Sequence, residues 1–305
     1  MLFNNIIDSV GNTPLVKINH LDEDSADVYV KIEKNNPSGS VKDRPVKFIL
    51  QDLLDRGVIK KGDTVIEPTS GNTGVGLAMA GAALGLNIVI VMPDSMSMER
   101  RQLIQAYGAE LVLTPISEGA MAGAKAKAEE LAEERDAVIL GQFANKANIK
   151  SHEETTAREI LEDLGTVDAF IAGIGTSGTI VGVGNVFKEN NPDTLIVGLE
   201  PEDSPLFSKG EAAGHKLQGL GTNFVPELFT DENIDRYVGV SNEDAFDGMR
   251  ELASTQGILA GISSGANYVG AKRLAKELGA GKTVVTVLPD SGERYLSMGI
   301  FSSDQ

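Results

Sequence analysis

The sequence predicts an α/β protein built on mostly parallel sheets. Three observations carry that prediction. Strand-like and helix-like segments alternate along nearly the whole chain. Glycine- or serine-rich loops recur at the carboxyl ends of the strands, where open α/β sheets bind ligands. The 305 residues suffice for one large domain or two medium ones with real cores.

The elements follow in order. Val28 to Glu33 reads as a strand and leads through Asn36-Pro37-Ser38-Gly39-Ser40-Val41-Lys42-Asp43-Arg44 into a helix over Pro45 to Arg56. Pro37 and Gly39 mark a tight turn, and Ser40 is a candidate cap. Lys42 then falls in the first helical turn. The positive helix end and burial both act there against a charged ammonium, leaving an amine able to attack a carbonyl. The plainer alternative is a solvated surface lysine. Thr64 to Glu67 is a short strand ending in Pro68-Thr69-Ser70-Gly71-Asn72-Thr73-Gly74. Val75 to Met92 is nearly all apolar. It reads as a small-residue helix to about Leu86, a break at Asn87 and a buried strand over Ile88 to Met92, not as a membrane span. Met98 to Tyr107 and Glu118 to Arg135 are helical, with a strand over Glu110 to Thr114 between them. In the second half, strands are expected at 169–174, 195–199 and 283–288. Helices are expected at 153–164, from the Gly175–Gly178 loop to about Lys188, at 242–256 and at 266–278.

Composition removes several classes of function. A net charge of −17 argues against nonspecific nucleic-acid binding and against an anionic membrane surface. With no cysteine, disulfides, thiolate catalysis and zinc–thiolate sites are excluded. Met1 to Asn12 has no basic region before its apolar residues and carries Asp8, unlike a signal peptide. The expected location is cytoplasmic.

Gly173-Ile174-Gly175-Thr176-Ser177-Gly178 follows a strand, opens a helix and has Glu200 after the next strand. That is a dinucleotide-binding pattern, as in NAD-binding oxidoreductases, and equally a general phosphate loop. Gly261-Ile262-Ser263-Ser264-Gly265 matches a serine nucleophile elbow. Such hydrolases place their histidine after the serine, and His20, His152 and His215 all precede it. The loop Thr69 to Gly74 sets small hydrogen-bonding side chains and two glycines against a helix start, which suits a carboxylate. A candidate amine, a carboxylate loop, a phosphate loop and serines at a further strand end together suit a lysine Schiff base with a phosphorylated aldehyde cofactor.

The chain resembles the cysteine synthase (O-acetylserine sulfhydrylase) family, within the fold type II pyridoxal 5′-phosphate enzymes. The resemblance covers nearly all of it. It is carried by Gly11-Asn12-Thr13-Pro14-Leu15, the Lys42 segment, Glu67 to Gly74, Met96-Ser97-Met98-Glu99-Arg100-Arg101 and Gln142-Phe143. Thr155-Thr156, Gly175 to Thr179, His215 to Gly221, Gly261 to Gly265 and Pro289 to Leu296 complete it. The resemblance implies two three-layer α/β/α domains like the tryptophan synthase β-subunit. The smaller would comprise 1–12 and 35–145, the larger 13–34 and 146–305. It implies Lys42 as the lysine of the internal aldimine and later the general base. It gives Asn72 to the cofactor's phenolic oxygen, Gly175, Thr176, Ser177, Gly178 and Thr179 to its phosphate, and Ser263 to its ring nitrogen. Thr69, Ser70, Gly71, Thr73 and Gln142 would hold the substrate carboxylate. The implied reaction converts O-acetyl-L-serine and sulfide to L-cysteine and acetate through an aminoacrylate. Cystathionine-forming or sulfide-producing chemistry on the same scaffold is the alternative. A homodimer and the C-terminal tail of a serine acetyltransferase are the implied partners. Ser177 replaces a common glycine, and Lys146-Ala147, Ala157-Arg158 and Thr222-Asn223 also depart from the family pattern. These departures bear on the second substrate more than on the cofactor.

Overall fold

The structure, a computed structural model, describes residues 2–69, 71–118 and 121–301. Ser70, expected in the carboxylate loop, lies outside them. In chain order the first half contains β1 (Leu15–Lys17), β2 (Asp27–Ile32), α1 (Asp43–Asp55), β3 (Thr64–Pro68), α2 (Asn72–Leu84) and β4 (Asn87–Pro93). α3 (Met98–Ala106), β5 (Glu110–Thr114), α4 (Met121–Glu134) and β6 (Val138–Ile139) complete it. The second half begins with α5 (Ala147–Ser151), a π-helical turn (His152–Thr156) and α6 (Ala157–Leu164). β7 (Ala169–Gly173), α7 (Gly178–Asn190), β8 (Leu195–Pro201), α8 (Leu206–Lys209) and β9 (Arg236–Val240) follow. α9 (Asn242–Gln256), α10 (Ile262–Leu278) and β10 (Thr283–Leu288) close the series.

The chain divides into two compact units. The first comprises Met1–Val10 and Asn36–Asn148, the second Gly11–Asn35 and Ile149–Gln305. The sheet of the first unit has the order β5-β4-β3-β6, and all its pairs are parallel. Alternation along β3 separates its two faces. Val65 packs with Val46, Ile49 and Leu50 of α1 and with Val75 and Leu77 of α2. Ile66 packs on the other side with Ala124, Ala128 and Leu131 of α4. The apolar stretch Val75 to Met92 is indeed a helix and a strand. Gly85, in the left-handed region at φ +70°, ends the helix two residues before the expected break. Among the described residues, no helix is long and apolar enough to cross a membrane.

The second unit carries the order β1-β2-β10-β7-β8-β9, parallel except for the short edge strand β1. Its strands again bury both faces. Val28, Ile171 and Leu199 pack with α9 and α10 through Met249, Leu252 and Ala271. Phe170, Ile196 and Val285 pack with α6 and α7 through Ile160, Val183 and Phe187. Each unit is therefore a three-layer α/β/α sandwich, as the resemblance implied.

Candidate active site

In the first unit the carboxyl end of β3 runs directly into the turn that starts α2. Gly71 occupies the N-cap position, and no side chain caps the helix. The Gly71 N–H donates to Thr69 Oγ1 at 3.2 Å. Thr73 Oγ1 donates to Gln142 Oε1 at 2.6 Å, joining residues 69 positions apart. Thr69, Thr73 and Gln142 are all buried. An uncapped helix start flanked by hydroxyls and a carboxamide is a site for a carboxylate. Arg100 of α3 lies beside it. A Cβ on Gly71 would stand 3.0 Å from Arg100 Nε.

Glu67, the fourth residue of β3, supports this turn. Its carboxylate accepts from the Gly141 N–H at 2.9 Å and from the Gln142 N–H at 3.4 Å. Burial pushes its carboxyl up to about 7, against hydrogen bonds from Gly141 and Gln142 that lower it. No charged side chain is among the influences on it.

Lys42 stands at the N-cap position of α1, one residue ahead of the helix and not inside its first turn. Ser40 does not cap α1. Its Oγ accepts from the Lys42 N–H at 3.2 Å, two residues earlier. The cause is Asp43, which accepts from the Ser38 N–H at 2.7 Å and from the Ser38 hydroxyl, locking the turn from 38 to 43. α1 packs on α2 at Gly76. A Cβ there would meet Asp43 Oδ1 at 2.9 Å and the Lys42 carbonyl carbon at 3.7 Å. The missing side chain at Gly76 thus lets Lys42 approach the first two turns of α2, which carry Asn72 and Thr73.

In the second unit the loop between β7 and α7 has the features of an anion cradle. Ser177 is the N-cap residue of α7, at φ +74°, and no side chain caps the helix. That backbone conformation is natural to glycine, which accounts for the commoner residue at this place. Ser177 Oγ is buried and has no hydrogen-bond partner. A desolvated hydroxyl at an uncapped, 13-residue helix start is costly unless an anion takes it. A Cβ on Gly175 would lie 2.9 Å from the Gly219 carbonyl oxygen, so the 218–221 segment roofs the loop. Gly219 (φ +96°) also faces Ser263, whose Oγ stands 3.4 Å from where its Cβ would be. Ser263, second residue of α10, is thereby brought to the phosphate-loop residues Gly175 to Thr179. These residues fit a phosphate monoester with a ring near Ser263.

His152 also lies beside this loop. It is buried in the π-helical turn, with Nδ1 2.9 Å from Thr156 Oγ1 and Nε2 3.3 Å from Thr179 Oγ1. π-Turns often mark functional sites, but nothing in the residue pattern signals one.

Two rival readings fail on geometry. Glu200 would have to meet a ribose in a dinucleotide site. It is buried and instead accepts from the Phe207 and Ser208 N–H groups at 2.7 and 3.2 Å, at the start of α8. The serine elbow lacks its base. His152 is engaged with Thr156 and Thr179, and His215 binds the Gly221 carbonyl and the Leu217 N–H.

The profile of the pyridoxal-phosphate dependent enzyme family matches residues 6–290. The chain belongs to that family. It is 53% identical over 303 residues to a cysteine synthase of Staphylococcus aureus (strain Mu50 / ATCC 700699), covering 98% of this chain and 97% of that one. An O-ureido-L-serine synthase of known structure is 43% identical with a TM-score of 0.94, covering 100% of this chain and 97% of that one. A hydrogen sulfide-producing enzyme from Fusobacterium nucleatum is 44% identical with a TM-score of 0.93, covering 96% and 100%. The cofactor of the family is pyridoxal phosphate, and the phosphate cradle of the second unit suits it.

If Ser177 Oγ takes the cofactor phosphate, Ser177→Ala should weaken cofactor retention about tenfold, the loss of one hydrogen bond to a charged group. Equilibrium dialysis of the cofactor against apo-protein measures this. Unchanged affinity would remove Ser177 from the cradle.

Proposed function

We propose that the chain is a cysteine synthase, converting O-acetyl-L-serine and sulfide to L-cysteine and acetate. The observation that carries this reading is the 53% identity to cysteine synthases across 98% of the chain. Bound pyridoxal phosphate would supply the electron sink for bond breaking at the substrate's Cα and Cβ. Lys42 would hold it through Nζ, and that amine then moves the proton at the substrate Cα. Thr69, Ser70, Gly71, Thr73 and Gln142 bind the substrate carboxylate and set the Cα–H for removal. Asn72 orients the phenolic oxygen, and Gly175, Thr176, Ser177, Gly178 and Thr179 take the phosphate. Ser263 meets the ring nitrogen with a hydroxyl instead of an acid. This leaves the ring neutral and favours loss of acetate over transamination.

The homodimer, the serine acetyltransferase tail and a cytoplasmic location form part of the same reading, supported by the resemblance. A second reading, release of sulfide, is supported by the likeness to the Fusobacterium nucleatum enzyme. The departures Ala157-Arg158 and Thr222-Asn223 favour keeping it in view. A product assay separates the two. O-acetyl-L-serine, O-phospho-L-serine and L-serine are each offered with sulfide or homocysteine, and L-cysteine is tested for sulfide release. The highest kcat/KM is expected for O-acetyl-L-serine with sulfide. A higher kcat/KM for sulfide release from cysteine, or for homocysteine as acceptor, would overturn the assignment.

A further inference from the structure

Behind the carboxylate turn sits a second carboxylate, Glu67, for which the proposed reaction has no use. It shares a hydrogen-bond partner with the turn. Gln142 takes the Thr73 hydroxyl on Oε1, while its backbone N–H donates to Glu67 at 3.4 Å. Glu67 is 1% exposed, so water cannot spread its charge.

We propose that Glu67 is a positioning residue that takes up a proton when a substrate carboxylate binds at Thr73 and Gln142. The proposal rests on the reading of Thr69, Thr73 and Gln142 as the carboxylate subsite. A second carboxylate brought to the same glutamine in a dry site disfavours two charges there, and the one with the higher pKa takes the proton. That one is Glu67, which burial already holds near neutrality, whereas an amino-acid carboxylate is a far stronger acid.

The surroundings leave little else to titrate. β4 places Ile90 opposite Glu67, and β6 pairs with β3 through Val138 and Ile139. α2 contains no titratable residue. α3 brings Glu99, Arg100 and Arg101, of which Arg100 lies against Gly71. α1 brings Lys42, Asp43 and Arg44, with Asp43 held by Ser38. α4 covers the opposite face of the sheet, through Ala124, Ala128 and Leu131.

The sign follows. Binding raises the pKa of Glu67, so affinity is highest where Glu67 is already protonated and falls as pH rises above about 7. Calorimetry of the holoenzyme with L-serine, in two buffers of different ionisation enthalpy at about pH 7.5, counts the protons exchanged. The α-amino group of the ligand contributes equally in wild type and in Glu67→Gln, so the difference isolates Glu67. Wild type should take up about 0.8 proton more than the variant, and its Kd should rise about tenfold more per pH unit above neutrality. Equal proton counts overturn the proposal. If Glu67→Gln does not fold, infrared difference spectra of wild type decide. L-Serine labelled with carbon-13 at its carboxylate should produce a protonated-carboxyl band that carries no isotope shift, and its absence overturns the proposal. Gln142→Ala separates this failure from that of the subsite. Weakened L-serine binding upholds the subsite, whereas unchanged binding sinks the subsite and the proposal with it.

Discussion

Lys42→Ala is expected to lower turnover by more than roughly a thousandfold while leaving the fold intact. The loss follows from the two duties proposed for one amine, holding the cofactor and moving the proton at Cα. The fold should survive because alanine keeps the Lys42 backbone, which serves the turn and the packing on α2. Its N–H meets Ser40 Oγ, and its carbonyl carbon packs at Gly76. Asp43 fixes the turn through Ser38. Lys42→Arg should fail equally, since a guanidinium keeps its proton at any working pH. Steady-state production of cysteine with circular dichroism on the same samples checks both variants. Turnover within tenfold of wild type in Lys42→Ala would remove the lysine from the chemistry.

Gly265→Ala is expected to cost on the order of 3 kcal/mol or more of stability, lowering Tm by about 10 °C. Gly265 lies in α10 where that helix crosses α9. A Cβ there would stand 2.1 Å from the Ala245 carbonyl oxygen and 2.8 Å from the Met249 backbone nitrogen. Gly248 on the facing helix is the reciprocal contact, with a Cβ site 2.5 Å from the Gly265 carbonyl oxygen. Backbone cannot swing aside as a side-chain tip can, so the helices must separate. Since α10 also carries Ser263, cofactor affinity should fall with stability. Gly214→Ala, with open space around it and no positive φ, serves as the neutral control in thermal melts. A Gly265→Ala protein that melts with wild type would contradict the packing account.

This glycine also shows what the sequence could and could not convey. Gly261-Ile262-Ser263-Ser264-Gly265 looked like a loop preceding a helix that begins near residue 266. The helix instead begins at Ile262. Glycine and serine are weak helix formers, but here a helix crossing that only glycine permits outweighs propensity. Long strands such as β4 and β10 were legible because their apolar runs are bounded by turn residues. β1 and β6, three and two residues long, carry no period to read. The helix expected over 153–164 begins earlier, at Ala147, because a π-turn joins two α segments. That turn aims His152 at Thr179.

Local pattern points to the Lys42 amine, the Thr69–Gly74 loop and the Gly173–Gly178 loop, but their individual roles come from the resemblance, and pattern alone also misdirects. Glu200 stands where a ribose acceptor belongs, yet it binds N–H groups at the start of α8. The Thr73–Gln142 bond and the Glu67 support are tertiary facts that span tens of residues. No periodicity or spacing encodes them.

The central claim is that Lys42 carries the cofactor. Borohydride reduction of the holoenzyme followed by peptide mapping tests it most directly. The account predicts a visible absorption band that reduction bleaches, with the phosphopyridoxyl label on Lys42. A label on any other lysine, or a colourless protein that takes none after incubation with pyridoxal phosphate, would contradict it.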